Sequence, residues 1–510
     1  MITGAGETPL AFGPGAMAVV TLYLLSMVGI GWLARKRRQS DNLDDFYLAG
    51  RSMGFGVLFL TLYATQYSGN TLFGYTGTAY RIGFQWTVSI LFMFSIIVGY
   101  LLFAPRLVVL SRKLSFITPG DYISNRFRSP VLTLLSTIVM IYALANYTLA
   151  QLKAMGAAVE GLTDGAVSSA HGIVALAIIM VVYETLGGMR SVAWTDVIQG
   201  VVLLTGFGVL LFIVPPLGGG LSAAVEQIGR IDPTKVGAPS LEVCNTWISY
   251  ILLLGCGAAI YPQAIQRLYA GRSVRVLKRS LMVMAFMPLT TTLIALVCGV
   301  VGIVALPDLG GASTDQVLPR LCALIMSGST AGYWLVVVVF AAALAALMST
   351  ADSALLSMSS MFTRDIYHAH LRPHSSEAEL TRVGKISSWI VVAILVVIAV
   401  GTDKSLIRLL ELKFEVLIQI VPCFFLGLYW KRLPAGAVLM GMIAGLVTAL
   451  GLTWTGHARV AGFHAGVVGL AVNFALCCLG AASSGRSDSI AERPPSSGAG
   501  WSALSAQVGE

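Results

Sequence analysis

Apolar runs of about 20 residues recur along nearly the whole chain, separated by short polar loops, and each run matches one bilayer crossing. The pattern predicts an all-α integral membrane protein with about thirteen transmembrane helices. They cover residues 16–34, 53–79, 85–107, 131–160, 171–187, 194–215, 246–270, 281–306, 331–362, 384–402, 407–430, 435–455 and 463–481. Most are uniformly apolar, and three are not. Thr61 to Arg81 is interrupted by Gly69, Gly74 and Gly77 and carries Thr65, Gln66, Ser68, Asn70, Thr71, Thr76 and Thr78. An unpaired polar group in hydrocarbon costs several kcal/mol, so this stretch faces protein or a water-filled cavity. It reads as a transporter binding site, or as a packing helix whose small residues allow close contact.

The second exception is 246–270, with Gly255 and Gly257 in its middle and Pro262 after them. Glycine permits non-helical backbone and proline removes a donor. An unwound turn that exposes carbonyls and a simple proline kink are both open. The third is 341–367, where Ser349, Thr350, Ser353, Ser357 and Ser360 recur at three- and four-residue spacing behind Ala342, Ala345 and Ala346. Hydroxyl oxygens suit a hard alkali cation, which takes about five oxygens without heavy charge. The other reading is helix–helix hydrogen bonding.

Charge placement sets topology. Arg35, Lys36, Arg37 and Arg38 follow the first apolar run; in a secretory signal they would precede it, so this is a first transmembrane helix with its N-terminus outside. Most other Lys and Arg, including Arg112, Arg190, Arg275, Arg364 and Lys431, then fall in loops on the cytoplasmic side. The opposite side carries few, among them Arg81, Lys235, Lys404, Arg408 and Lys413. Residues 315–327 are a candidate short helix over the outer entrance. Residues 1–482 form one polytopic domain, and 483–510, rich in Ser, Gly, Ala and Pro, form a disordered cytoplasmic tail.

Composition agrees with this picture. Of the 510 residues 56% are hydrophobic and 11% charged, and the mean hydropathy is +0.81. A soluble domain has about 25% charged residues. The net charge of +9 is a topology signal, not a sign of nucleic-acid binding. The seven cysteines show no paired spacing and read as buried apolar side chains. Asp196 and Asp352 lie within or at the end of apolar spans, where carboxylates mark ion paths or proton relays. Asp196 has a plainer reading as the partner of Arg190.

Three blocks together resemble the sodium:solute symporter family. They are FYLAGRSMG with ATQYSGNTLFGYTGTAYRIGF, YETLGGMRSVAWTDVIQG, and MSTADSALLSMSSMFTRDIY; YPQAIQRLYA fits more weakly. The resemblance implies the leucine-transporter arrangement, two inverted repeats of five helices, over about 53–215 and 246–430. It implies a sodium site of the carbonyls of Ala64, Tyr67 and Ala346 with the hydroxyls of Ser349 and Thr350. Asp196 matches an acidic residue that affects coupling in the family, and with Asp352 and Ser353 it would form a second cation position. Substrate contacts carry over to Gln66, Ser68, Asn70 and Thr71, and to Leu254, Gly255, Gly257, Ala258 and Tyr261. Proline symporters have an acidic residue at the position of Gln66 and aromatic residues near Asn70, Leu254 and Ala258; this chain departs at each.

The expected function is sodium-coupled symport of a small polar organic solute, with an organic carboxylate as the favoured class. Na⁺ is the coupling ion, and no organic cofactor or nucleic-acid partner is implied. The unit is expected to be monomeric, lipid-embedded and resident in a cell membrane, of the bacterial inner-membrane kind. The rivals are proton coupling through Asp352 or Asp196, and a transporter-like receptor. An enzyme is not indicated, since no nucleophile–base constellation falls in a span.

Overall fold

A segment at bilayer depth has no water to satisfy its backbone, so it closes its own hydrogen bonds as a helix. The computed structural model describes residues 12–38, 40–163, 165–307, 309–401 and 413–483, and these are almost wholly helical. The expected tail from 484 onward lies outside the described residues, as do Lys404 and Arg408. Among the described residues, ten helices or continuous helical runs are long and apolar enough to cross a membrane.

The chain opens with α1 (Pro14–Lys36) and continues through α2 (Phe55–Gln66), a short turn at Gly69–Leu72, and α3 (Gly74–Ile82). Then follow α4 (Val88–Leu114), α5 (Pro130–Leu162) and α6 (Ser169–Ile213). The second half contains α7 (Leu241–Ala259), α8 (Pro262–Ala270), α9 (Thr292–Ala305) and α10 (Thr330–Met361). It closes with α11 (Glu377–Gly401), α12 (residues 413–417), α13 (Ala435–Trp454) and α14 (Ala465–Ser483). Helix α10 is the hub: it packs against α2, α5, α6, α8 and α11. Every residue from Ala342 to Met361 is buried, which explains its run of Ala and Ser, since small side chains let five helices approach one.

The stretch from Thr61 to Arg81 breaks after Gln66. Tyr67 (φ −100°, ψ 98°) and Ser68 (φ −95°, ψ 177°) are extended, and the helix restarts at Gly69. The Ser68 hydroxyl caps the restart by accepting the Asn70 N–H at 3.3 Å. Gly69 is required by space, because a Cβ there would run into the Leu347 side chain of α10. The far end of the segment is covered: Gly77 lies under the Thr314 carbonyl, and Arg81 pairs with Asp315 at 3.5 Å. The helix expected over 315–327 is present as Val317–Gly328.

The second interruption differs from the sequence reading. Gly255 and Gly257 stay helical inside α7, and the break lies at Ile260 (ψ 14°) and Tyr261 (φ −53°, ψ 126°), immediately before Pro262. The proline decides this. It disfavours helical backbone in the residue before it and is pre-set for the first position of the next helix.

Residues 171–187 and 194–215, read as two spans, are the two arms of α6, two helices that meet at a sharp kink at Gly188. Gly188 has φ 57° and ψ −143°, a conformation open essentially only to glycine, and a Cβ would meet the Phe46 carbonyl and ring. The bend carries Arg190 onto the Leu43–Leu48 turn, where it pairs with Asp45 at 2.7 Å and donates to the Arg37 carbonyl. The FYLAGR and GGMR blocks are therefore neighbours in space.

Candidate sodium and solute site

Where α2 ends, its last carbonyls lose their helical partners. One of them, from Ala64, accepts a hydrogen bond from the Ser349 hydroxyl of α10 at 3.0 Å. The same hydroxyl lies 3.3 Å from the Ala346 carbonyl. Thr350 is next to it, fully buried, and its Oγ1 has no hydrogen-bond partner. Three of the five expected sodium ligands, Ala64, Ala346 and Ser349, are thus gathered at one point. An orphaned hydroxyl stands beside them, and Tyr67 lies at the adjacent break. A buried hydroxyl without a partner is costly unless a ligand completes it. The set is neutral and all oxygen, which suits a singly charged alkali ion and fits a transition metal poorly.

One turn further along α10 the chemistry changes. Asp196 of α6 and Arg267 of α8 form an ion pair at 2.8 Å in which neither side chain has any exposure. Arg267 also donates to the Thr61 hydroxyl at 2.8 Å, to the Gln263 carbonyl at 3.1 Å, and to the Ser353 hydroxyl. Thr61 in turn donates to Asp196. Helices α2, α6, α8 and α10 are tied at this one guanidinium. The reading of Asp196 as the partner of Arg190 is corrected: Arg190 belongs to Asp45, and Asp196 to Arg267. Asp352 stands apart from the pair, accepting from the Tyr183 hydroxyl at 2.5 Å and lying 3.2 Å from the Ser353 hydroxyl.

Arg267 went unnoticed in the sequence although a signal was present. It is the one charged residue in the run 246–270, and an arginine at that depth requires a carboxylate.

The two breaks face each other through aromatic side chains. The Tyr100 hydroxyl lies 3.3 Å from Gln66 Oε1 and 3.4 Å from the Ala258 carbonyl. The Tyr147 ring stacks on Tyr261 with centroids 5.6 Å apart, and its phenol faces Ser68 and Thr350. Gln66, Ser68, Ala258 and Tyr261 are therefore brought around one locus, which also adjoins the Thr350 hydroxyl. The other candidates sit elsewhere. Gly255 presses on Ser95 of α4, Gly257 lies against Phe414, and Leu254 is buried in the apolar core. Asn70 turns back along its own segment toward Gly74, and the buried Thr71 is held by the Ser68 carbonyl at 2.9 Å. Tyr100 and Tyr147 were invisible as site residues, because an aromatic residue in an apolar span looks like core.

The family model for the sodium:solute symporter family matches residues 46–445. The chain belongs to the sodium:solute symporter family. It is 27% identical over 459 residues to a sodium/pantothenate symporter of Haemophilus influenzae, covering 88% of this chain and 92% of that protein. It is 27% identical over 481 residues to the sodium/proline symporter of Escherichia coli, covering 91% and 93%. A sodium/glucose cotransporter of Vibrio parahaemolyticus is 27% identical over 475 residues, covering 85% and 84%. Among solved structures, a Na⁺-coupled sialic acid symporter in a substrate-bound outward-open state superposes with a TM-score of 0.79 at 22% identity, covering 92% of this chain and 98% of the other. This likeness is one of fold. These relatives are transporters, and the family membership supports sodium-coupled solute symport in a multi-pass membrane protein.

Proposed function

We propose that this chain is a sodium-coupled secondary active symporter that brings a small polar organic solute into the cell by alternating access. The observation that carries the reading is the meeting of the Ala64 carbonyl, the Ser349 hydroxyl and the unpartnered Thr350 hydroxyl at the end of a broken helix. Sodium entering there binds α2 to α10 through oxygens from both, and so fixes the break in one shape. The solute then occupies the locus between Gln66, Ser68, Ala258 and Tyr261. Because Tyr147 faces both Ser68 and Thr350, occupancy of one site orders a wall of the other, which is a route for coupling.

The finer architecture belongs to the same proposal: about thirteen crossings in a five-plus-five inverted repeat, with the N-terminus outside and the C-terminus in the cytoplasm. The two breaks, after Gln66 and before Pro262, support it as corresponding first helices of the two repeats. The second cation position proposed from Asp196 and Ser353 is spanned by the Arg267 guanidinium, so a single sodium per solute is the stoichiometry we favour.

The test is uptake into proteoliposomes as a function of external sodium. The Ser349→Ala, Thr350→Ala double variant should need much more sodium for half-maximal uptake. Unchanged sodium dependence would remove the site. Proton coupling is a second reading, favoured by Asp352 being bonded by hydroxyls alone. Sodium-independent uptake with a pH optimum would replace the first reading with this one.

A further inference from the structure

The three most buried lysine and arginine side chains in the described structure are treated differently. Arg190 and Arg267 each meet a carboxylate, at 2.7 and 2.8 Å. Lys413, at the start of α12, is only 3% exposed, yet no charged group stands beside it among the described residues. Its ammonium lies instead over rings, 3.3 Å from the Tyr147 centroid, 4.7 Å from Phe414 and 5.6 Å from Tyr261. The sequence placed this lysine among the outer-side charges; the structure turns it inward.

Aromatic faces attract a cation but supply no counter-charge. Among the described residues this buried ammonium is held only by rings, and there it is incomplete in the way the Thr350 hydroxyl is incomplete. Its location gives the missing partner a direction. Tyr261 forms the second helix break, and Tyr147 faces Ser68 and Thr350, so the ammonium borders the locus assigned to the solute. Lysine is a compact charge on a flexible four-carbon stem with three donors. It can lift from a ring face onto an arriving anion without any backbone change. Glu415, two residues on, does not serve it: that side chain accepts from Thr453 and packs on Gly466.

We propose that Lys413 is a substrate-binding residue that takes the carboxylate of an organic acid, and that the Tyr147 and Tyr261 rings hold its ammonium until the acid arrives. This rests on the symport reading above and narrows its solute to organic anions. A neutral solute leaves the ammonium without a counter-charge, while a carboxylate supplies it, together with acceptors for its donors. Sodium at the neighbouring oxygens adds attraction for the same anion.

The experiment is a thermal-shift measurement on the purified full-length protein in detergent, in paired NaCl and choline chloride buffers. The probes are lactate, pyruvate, propionate, benzoate and nicotinate, each beside its own carboxamide. At least one acid should stabilise the wild type in sodium while its amide does not. Lys413→Gln should weaken that acid by about thirtyfold or more, and Lys413→Arg should restore much of the loss. Lys413→Met, which removes a buried charge that has no partner among the described residues, should melt no lower than the wild type without ligand. The assignment is overturned if no acid shifts the wild type, if amides act as well as acids, if the shift survives in Lys413→Gln, or if Lys413→Met melts markedly lower. The symport reading is judged separately, by sodium alone: stabilisation by NaCl that Ser349→Ala, Thr350→Ala abolishes keeps it, whatever the acids do.

Discussion

Two clusters stand four residues apart on α10, about 6 Å along its axis. The first, at Ser349 and Thr350, is neutral oxygen with one hydroxyl left over. The second, at Ser353, is closed by a guanidinium and a carboxylate of the chain itself. Both would hold a cation between the same helices, but only the second owns one. On the proposed reading, a site that must fill and empty on each cycle is left short of a ligand. A junction that must hold several helices at one point is given a fixed charge pair. The difference is electrostatic. A neutral oxygen set keeps no buried net charge when its ion departs, whereas Asp196 without Arg267 would be an isolated charge in a dry interior.

The largest expected effect attacks the closed cluster. Asp196→Asn strands the buried Arg267 and should cost about 3–5 kcal/mol of stability, read as loss of folded yield and a lower melting temperature. Asp196→Leu combined with Arg267→Met should recover most of it, because well-packed apolar residues tolerate that interior. A double variant as unstable as Asp196→Asn would show that the pair does more than cancel charge.

The open cluster should behave in the opposite way. Ser349→Ala with Thr350→Ala should raise the sodium concentration for half-maximal uptake about tenfold or more, with little change in melting temperature in choline. A large stability loss without sodium would make the hydroxyls structural glue and erase the contrast.

The third variant, Gly69→Val, pushes a side chain into Leu347 and should cost about 1–3 kcal/mol while weakening sodium dependence, since it drives the first break away from α10. Wild-type sodium dependence in this variant would separate the break from the site. The smallest effect is Pro262→Ala, which should cost less than about 1 kcal/mol yet slow uptake by letting α7 run on into α8. An unaltered rate would show that the second break does not depend on its proline.

Much of this was readable in the order of residues. The first break falls inside the stretch whose glycines and hydroxyls mark it, because glycine and serine carry their conformational and capping preferences locally. The serine stripe of α10 was likewise visible, since a three- and four-residue spacing describes one helix face. The second break was misplaced by a few residues. Two glycines outweighed one proline in the reading, whereas a packed helix keeps glycine helical and proline stops it locally. The partner of Asp196 was misassigned because Arg190 is near in sequence and Arg267 is 71 residues away. Only the packing of α6 on α2 and α10 selects between them.

The sequence alone determined that this is a many-helix membrane protein, where its helices are weakest, and which hydroxyls share a face. Hydropathy, glycine, proline and periodicity act over a few residues, so they survive in one dimension. The tertiary structure decided which buried charge meets which, that the Thr350 hydroxyl beside Ser349 is left without a partner, and that Lys413 lies on aromatic rings instead of in water. Those outcomes depend on which helices touch, and contact between distant segments is set by packing that no local stretch encodes.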